Sequence, residues 1–287
     1  MSRSVVAAYL ACALIWGTTW FAIRASIGPG GYPTLTACAL RFAIAAIVLV
    51  PIAARTRAWP RGAVWGYLVL AGVLDAGAYI LVYLGEERVS GGIASVVYGT
   101  QPLILALLLQ AVRIERITRR HLIGAAVSIA GVAVLFLDRL DVSARQAAGV
   151  AMIVGSVAVS TTYSMIMKRH ARGVPNLVAT TIFLIVTAIV LGAVALIARD
   201  GVPWPPPALP TVALGYLAIV GSVAAFLAYF YLLDRTSLLL TSTLVFVYPL
   251  IALGTDAVFE HTIVIGPRAY AGAAITLAGL AVSLRRR

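Results

Sequence analysis

The sequence predicts an all-α membrane protein whose ten transmembrane helices form two inverted five-helix repeats, with both termini cytoplasmic. Three observations predict it. The chain of 287 residues is 62% hydrophobic and only 11% charged, with a mean hydropathy of +1.00. About a quarter of the residues of a soluble domain are charged, so this composition belongs in a bilayer. Next, the chain states one half twice. Arg88, Ser95 and Pro102 recur 147 residues on as Arg235, Ser242 and Pro249, and Gly124 and Gly131 recur 148 residues on as Gly272 and Gly279. Finally, the Lys and Arg residues fall mostly on one side of the predicted spans.

A spanning helix needs about 20 mostly apolar residues. The apolar runs supply ten such segments, at 5–27, 34–52, 62–84, 92–112, 119–137, 147–168, 176–198, 211–233, 240–259 and 269–284. Repeats are sought before other features, and here they divide the chain into 1–140 and 141–287. Five spans per repeat is an odd number, so the second repeat enters the membrane upside down. Inverted halves related by an axis in the membrane plane are the design of many secondary transporters.

Charge sets the orientation. With the N-terminus inside, the cytoplasmic side holds 15 of the 22 basic residues, among them Arg55, Arg61, Arg119, Arg120, Lys168 and Arg172. Retention of such segments in the cytoplasm keeps both termini inside. The net charge of +12 is therefore topogenic, with some attraction to anionic lipid, and no nucleic-acid partner is expected. Arg3 followed by an apolar stretch imitates a signal peptide, but the apolar part before the imitation cleavage site is short, and the segment reads as the first span.

Span 1 carries Trp16, Gly17, Thr18, Thr19 and Trp20 near mid-membrane, and span 6 answers with Ser160, Thr161, Thr162 and Tyr163. Small hydroxylated residues allow close helix approach, so packing explains the Thr pairs. Trp and Tyr favour the headgroup level. At mid-depth, Trp16 and Trp20, four apart on one face, are candidates for a pocket as well as for the core. Span 2 holds Arg41, whose charge costs about 2.5–3.5 kcal/mol at the bilayer centre. It is expected to snorkel outward, to pair with Glu86 or Glu87, or to meet an anionic substrate. Span 3 holds Asp75, with Tyr79 and Tyr83 one and two turns on. A carboxylate inside a span is a functional hypothesis by default, and three roles are open to it: a substrate ammonium, a proton, or a bond to a neighbouring helix.

Span 4 is broken around Gly99 and Pro102, and span 9 at Pro249. Proline removes one intrahelical hydrogen bond, and freed carbonyls at membrane depth line cavities. Tyr98 and Gln101 precede one break and Tyr248 the other, so Pro102, Pro249 and Tyr248 are expected as hinge or gate elements. Span 8 bears an aromatic stripe, Phe226, Tyr229, Phe230 and Tyr231, that reads as packing. The Gly pairs of spans 5 and 10, seven residues apart, read as close helix packing within or between chains. Cys12 and Cys38 lie in apolar runs and imply no disulfide or metal site.

The ten spans, WGTTWF in span 1, LRF in span 2, the span 4 Pro followed by Glu115 and then HLIGAAVSIAGVAVL, repeated as YPLIALGTDAVFEHT and YAGAAITLAGLAVSL, resemble the bacterial EamA branch of the drug/metabolite transporter superfamily. The likeness covers the whole chain. It implies export of amino acids or related metabolites across the bacterial inner membrane by alternating access, through a cavity lined by spans 1, 3, 4, 6, 8 and 9. Among relatives, the aromatic amino-acid exporters fit the aromatic-rich spans. Two departures stand out: the second repeat has no counterpart of Arg41, and Glu260 lies two residues closer to its Pro than Glu115 does.

The leading expectation is an amino-acid exporter in which Asp75 or a backbone carbonyl receives the ammonium. Trp16, Trp20, Tyr79, Tyr98 and Tyr163 then supply apolar and edge contacts, and Gln101 and Ser160 bond the carboxylate. Efflux of lipophilic cations is the alternative, with the aromatics as cation-π faces and Asp75 as counter-charge. The chain lacks H-E-x-x-H, G-x-S-x-G and P-loop sequences, so an intramembrane enzyme is not expected, nor a lipid scramblase. The expected partners are a small-molecule substrate and the bilayer, with no cofactor or metal; the oligomeric state is left open, with a monomer admissible.

Overall fold

The computed structural model describes residues 2–56, 58–89, 91–112, 118–136, 143–199, 201–259 and 267–284. Glu115, Glu260 and His261 lie outside them, and the side chain of Asp256 is likewise not described. Among the described residues the chain is all helical, without a strand. Thirteen α-helices follow one another: α1 (Arg3–Ile27), α2 (Thr34–Ala53), α3 (Val64–Glu86), α4 (Gly91–Tyr98), α5 (Gln101–Val112), α6 (Arg119–Phe136), α7 (Ala144–His170), α8 (Asn176–Ala198), α9 (Ala208–Ala218), α10 (Ala225–Arg235), α11 (Leu238–Ser242), α12 (Tyr248–Phe259) and α13 (Pro267–Leu284). A π-helical segment, Ile219–Ala224, joins α9 to α10, and a 3-10 turn, Thr243–Phe246, follows α11. Among the described residues, six rods are long and apolar enough to cross a membrane: α1, α2, α3, α7, α8 and the continuous run Ala208–Arg235.

Local chemistry sets the helix starts. The hydroxyls of Ser2, Ser143 and Ser237 accept from the backbone N–H groups of Val5, Gln146 and Leu240, each satisfying one of the orphan donors at a helix N-terminus. Pro33 and Pro175 stand at the N-caps of α2 and α8, where a missing N–H is harmless.

Packing partners recur when the halves are exchanged. α6 lies against α13 and α2 against α8, while α3 meets α7 as α1 meets α9 and α10. The α6–α13 contact is the glycine packing expected from the sequence, and it lies within the chain. A Cβ on Gly131 would fall 2.8 Å from the Gly272 carbonyl oxygen, and one on Gly279 would fall 2.6 Å from that of Gly124. Ser128 Oγ donates to the Thr276 carbonyl at 3.1 Å across the same seam. A second close approach organises the centre. A Cβ on Gly72 would sit 2.7 Å from the Phe183 carbonyl oxygen, so α3 runs tight against α8.

The two breaks differ from a proline kink. Pro102 and Pro249 are the second residues of α5 and α12, the first turn of a new helix, where proline costs no hydrogen bond. The preceding turns stay bonded: Gly99 N donates to the Ser95 carbonyl at 3.2 Å and Val247 N to that of Leu244 at 3.0 Å.

Arg41 departs from both structural expectations. It is completely buried, and neither snorkels nor forms an ion pair with Glu86, whose two carboxylate oxygens have no hydrogen-bond partner among the described residues. Instead its Nε donates to Ser222 Oγ at 2.8 Å and its Nη2 to the Gly221 carbonyl at 3.0 Å. Both acceptors belong to the π segment. A π turn leaves its carbonyls poorly served by the usual helical ladder, and the guanidinium, with five donors in a fixed fork, supplies what the turn lacks.

Candidate functional site

A cavity lies where helices of both halves meet. Its walls are Trp16, Thr19, Trp20 and Ile23 of α1; Asp75, Ala78, Tyr79 and Val82 of α3; Tyr98 and Gln101 at the α4–α5 break; Ser160 and Tyr163 of α7; Tyr229 of α10; Thr241 of α11; and Tyr248 of α12. Its free space is about 690 Å³ counting the mouth and the open solvent there. The interior is narrower than that figure implies, because the centre of a water molecule has only about 80 Å³ to move in.

The helical repeat explains two of the walls. The α1 residues and the α3 residues both sit at i, i+3, i+4 and i+7, one stripe down one face. The gap left by Gly72 sets the third. One turn beyond Gly72, Asp75 Oδ2 accepts from Thr187 Oγ1 of α8 at 3.1 Å. The same hydroxyl lies 3.1 Å from the Gly72 carbonyl and 2.9 Å from that of Phe183. Asp75 is fully buried, and its Oδ1 has no donor among the described residues.

Aromatic rings fill much of the remaining wall. Trp16 makes edge contacts with Tyr229 at 5.0 Å and with Tyr248 at 6.1 Å between centroids. Trp20 makes one with Tyr98 at 5.2 Å. Edge-to-face pairs at 4.5–7 Å are the favoured geometry. Several hydroxyls are already committed. Tyr98 OH bonds Ser156 Oγ and Tyr229 OH bonds Ser164 Oγ, both at 2.8 Å, while Ser160 and Thr241 donate to carbonyls of their own helices at 3.1 and 2.9 Å. Tyr79 links the cavity to the buried cation: the Arg41 guanidinium lies 4.8 Å from its ring centroid, and Nη2 is 3.4 Å from its hydroxyl.

All eight residues expected to contact a substrate, Trp16, Trp20, Asp75, Tyr79, Tyr98, Gln101, Ser160 and Tyr163, stand on this one wall, together with Tyr248. Pro102 and Pro249 do not; they stand one residue behind Gln101 and Tyr248. Sequence reasoning passed over Thr19, Ile23, Ala78, Val82, Tyr229 and Thr241. The first four were signalled by extending the Trp16–Trp20 and Asp75–Tyr79 stripes by one turn. Tyr229 was hidden in an aromatic stripe that mostly does pack, since Phe226 and Phe230 are buried against Phe183. Among the described residues no cluster of His, Cys, Asp and Glu is placed to hold a metal.

The sequence model of the EamA-like transporter family matches residues 3–137 and again residues 147–285. The chain belongs to the EamA-like transporter family. Among curated relatives, this EamA-like chain is 29% identical over 258 residues to the inner membrane transporter YedA of Escherichia coli K12, covering 86% of this chain and 81% of that one. It is 28% identical over 246 residues to protein PecM of Dickeya dadantii, covering 83% and 78%. It is 25% identical over 300 residues to a protein named as a probable terminal-alkyne amino-acid exporter in Streptantibioticus cattleyicolor, covering 100% and 95%. A crystal structure superposes with a TM-score of 0.81 over 99% of this chain and 97% of that chain at 20% identity, a likeness of fold. The EamA-like chain is therefore a multi-pass membrane transporter.

Proposed function

We propose that this transporter exports amino acids, aromatic ones included, across the bacterial inner membrane by alternating access, as a ten-span carrier built from two inverted repeats with cytoplasmic termini. The observation that carries this reading is Asp75: a fully buried carboxylate with one oxygen unpaired, in the wall of an aromatic cavity assembled from both halves. Such an oxygen is a natural acceptor for an ammonium, and the surrounding rings suit an apolar or aromatic side chain. The exchange symmetry of the helix contacts supports two halves rocking about a central site. The amino-acid exporter among the relatives supports the substrate class.

Cells that express the chain and are fed a phenylalanine-containing dipeptide are expected to release phenylalanine faster than cells carrying Asp75→Asn. The lone acid among aromatic faces also suits a lipophilic cation. Unchanged phenylalanine release, with faster ethidium efflux that is lost in Asp75→Asn, assigns the cavity to cationic drugs instead.

A further inference from the structure

Asp75 is not the only wall residue with an unmet polar atom. The indole Nε1 of Trp16 and that of Trp20 are both buried with no acceptor among the described residues, and both residues line the same cavity. An indole nitrogen donates and cannot accept. A buried donor left unpaired is disfavoured, most of all at membrane depth. The wall thus presents two N–H donors and one carboxylate oxygen that the described residues leave unmet.

We propose that the indole N–H groups of Trp16 and Trp20 hold the substrate's carboxylate while Asp75 Oδ1 receives its ammonium, so that the cavity selects the zwitterionic head of a free α-amino acid. The proposal rests on the amino-acid reading above and adds to it the residues that decide the head group.

Three further observations favour the indoles over other candidates. Arg41, the obvious partner for an anion, does not line the cavity: its Nε and Nη2 are committed to the π turn and to Tyr79, and its Nη1, without a partner among the described residues, is not on the wall. The hydroxyls of Thr19 and Ser160 donate to the carbonyls of Ile15 at 2.8 Å and Val157 at 3.1 Å. Finally, α5 and α12 both begin at the cavity wall, with Gln101 and Tyr248 as their first residues. The positive end of a helix dipole favours an anion within its first turn. Trp16 and Trp20 lie one turn apart on one face of α1, so both indoles border the same stretch of the cavity.

The test uses the full chain in proteoliposomes and counterflow of labelled phenylalanine, with phenylalanine, phenylalanine methyl ester and phenethylamine as competitors. The ester keeps the ring and ammonium but has no carboxylate charge; the amine has no carboxyl group at all. Trp16→Phe and Trp20→Phe keep a ring and remove the N–H. In the wild type, phenylalanine is expected to compete better than either analogue. In the double variant its KM is expected to rise about 100-fold or more, since each hydrogen bond lost to a charged group costs about 10-fold or more, while competition by phenethylamine stays within about twofold, so that the preference collapses. If the double variant does not reconstitute, each single variant is expected to lose part of the preference.

Retention of the preference in the double variant, or in both single variants, overturns the proposal and leaves the amino-acid reading intact. Failure of the wild type to carry phenylalanine at all overturns both.

Discussion

Asp75 has two oxygens with different surroundings: Oδ2 accepts from Thr187, and Oδ1 has no donor among the described residues. On the proposed reading, the first fixes the carboxylate and the second receives the transported molecule. Asp75→Asn is therefore expected to abolish binding and counterflow together, read as loss of substrate-induced thermal stabilisation and of labelled uptake. Counterflow that survives, with only pH-driven accumulation lost, assigns the carboxyl to proton carriage. Thr187→Val keeps the shape and removes the donor. Because a hydrogen bond to a charged group is worth about 1.5–3 kcal/mol, KM for the amino acid is expected to rise about 10-fold or more, with the maximal rate less affected. The sequence showed Asp75 as the acid well inside a span. It did not show Thr187, because nothing in the local pattern of span 7 separates it from Thr180 and Thr181, which bond within their own helix.

At the scale of helices, the structure turns on two features with opposite legibility. The Gly pairs of α6 and α13 were readable, since a repeated small residue two turns apart marks a close seam. Gly131→Leu or Gly279→Leu is expected to force the helices apart, costing about 1–3 kcal/mol as overpacking does and lowering the thermal midpoint in detergent. The π segment was not readable. Ile219–Ala224 has no proline and no unusual composition, and the partner that supports it, Arg41, lies some 180 residues away. A lone charge in a span announced that Arg41 needed partners, but not that they would be a non-α turn. Arg41→Gln is expected to leave the Gly221 carbonyl and the Ser222 hydroxyl short of donors, lowering the thermal midpoint and the transport rate together. Deleting one residue from the turn is expected to turn α10 by about 100° relative to α9. That takes Tyr229 off the cavity wall and abolishes transport in a protein that still inserts. The stripes on α1 and α3 lie between these cases: periodicity gave the faces, but only packing decided which face met a cavity.

For the whole molecule, the proposed alternating access requires that contacts between the halves form and break. Tyr9 of α1 bonds Thr243 of the 3-10 turn through their hydroxyls at 2.9 Å, and Tyr231 bonds Ser4 at 2.9 Å. On this account, bridging a Tyr9→Cys/Thr243→Cys pair with a bis-methanethiosulfonate cross-linker long enough to span the place of the tyrosine ring locks the halves and stops transport, and a reductant restores it. The native Cys12 and Cys38 are both buried and keep the background low. A carrier that continues to turn over with this pair cross-linked moves by some route other than separation at this contact. Membership of the family was legible because the order and spacing of its motifs survive when contacts are invisible; the lining of the cavity was legible only residue by residue. The central claim, an aromatic cavity that carries amino acids, is tested most directly by counterflow of labelled phenylalanine into proteoliposomes holding the purified chain. Phenylalanine, tryptophan, threonine, glutamate and ethidium serve as competitors. The account predicts amino-acid counterflow, with phenylalanine and tryptophan the strongest competitors. No amino-acid flux, with uptake of ethidium alone, contradicts it.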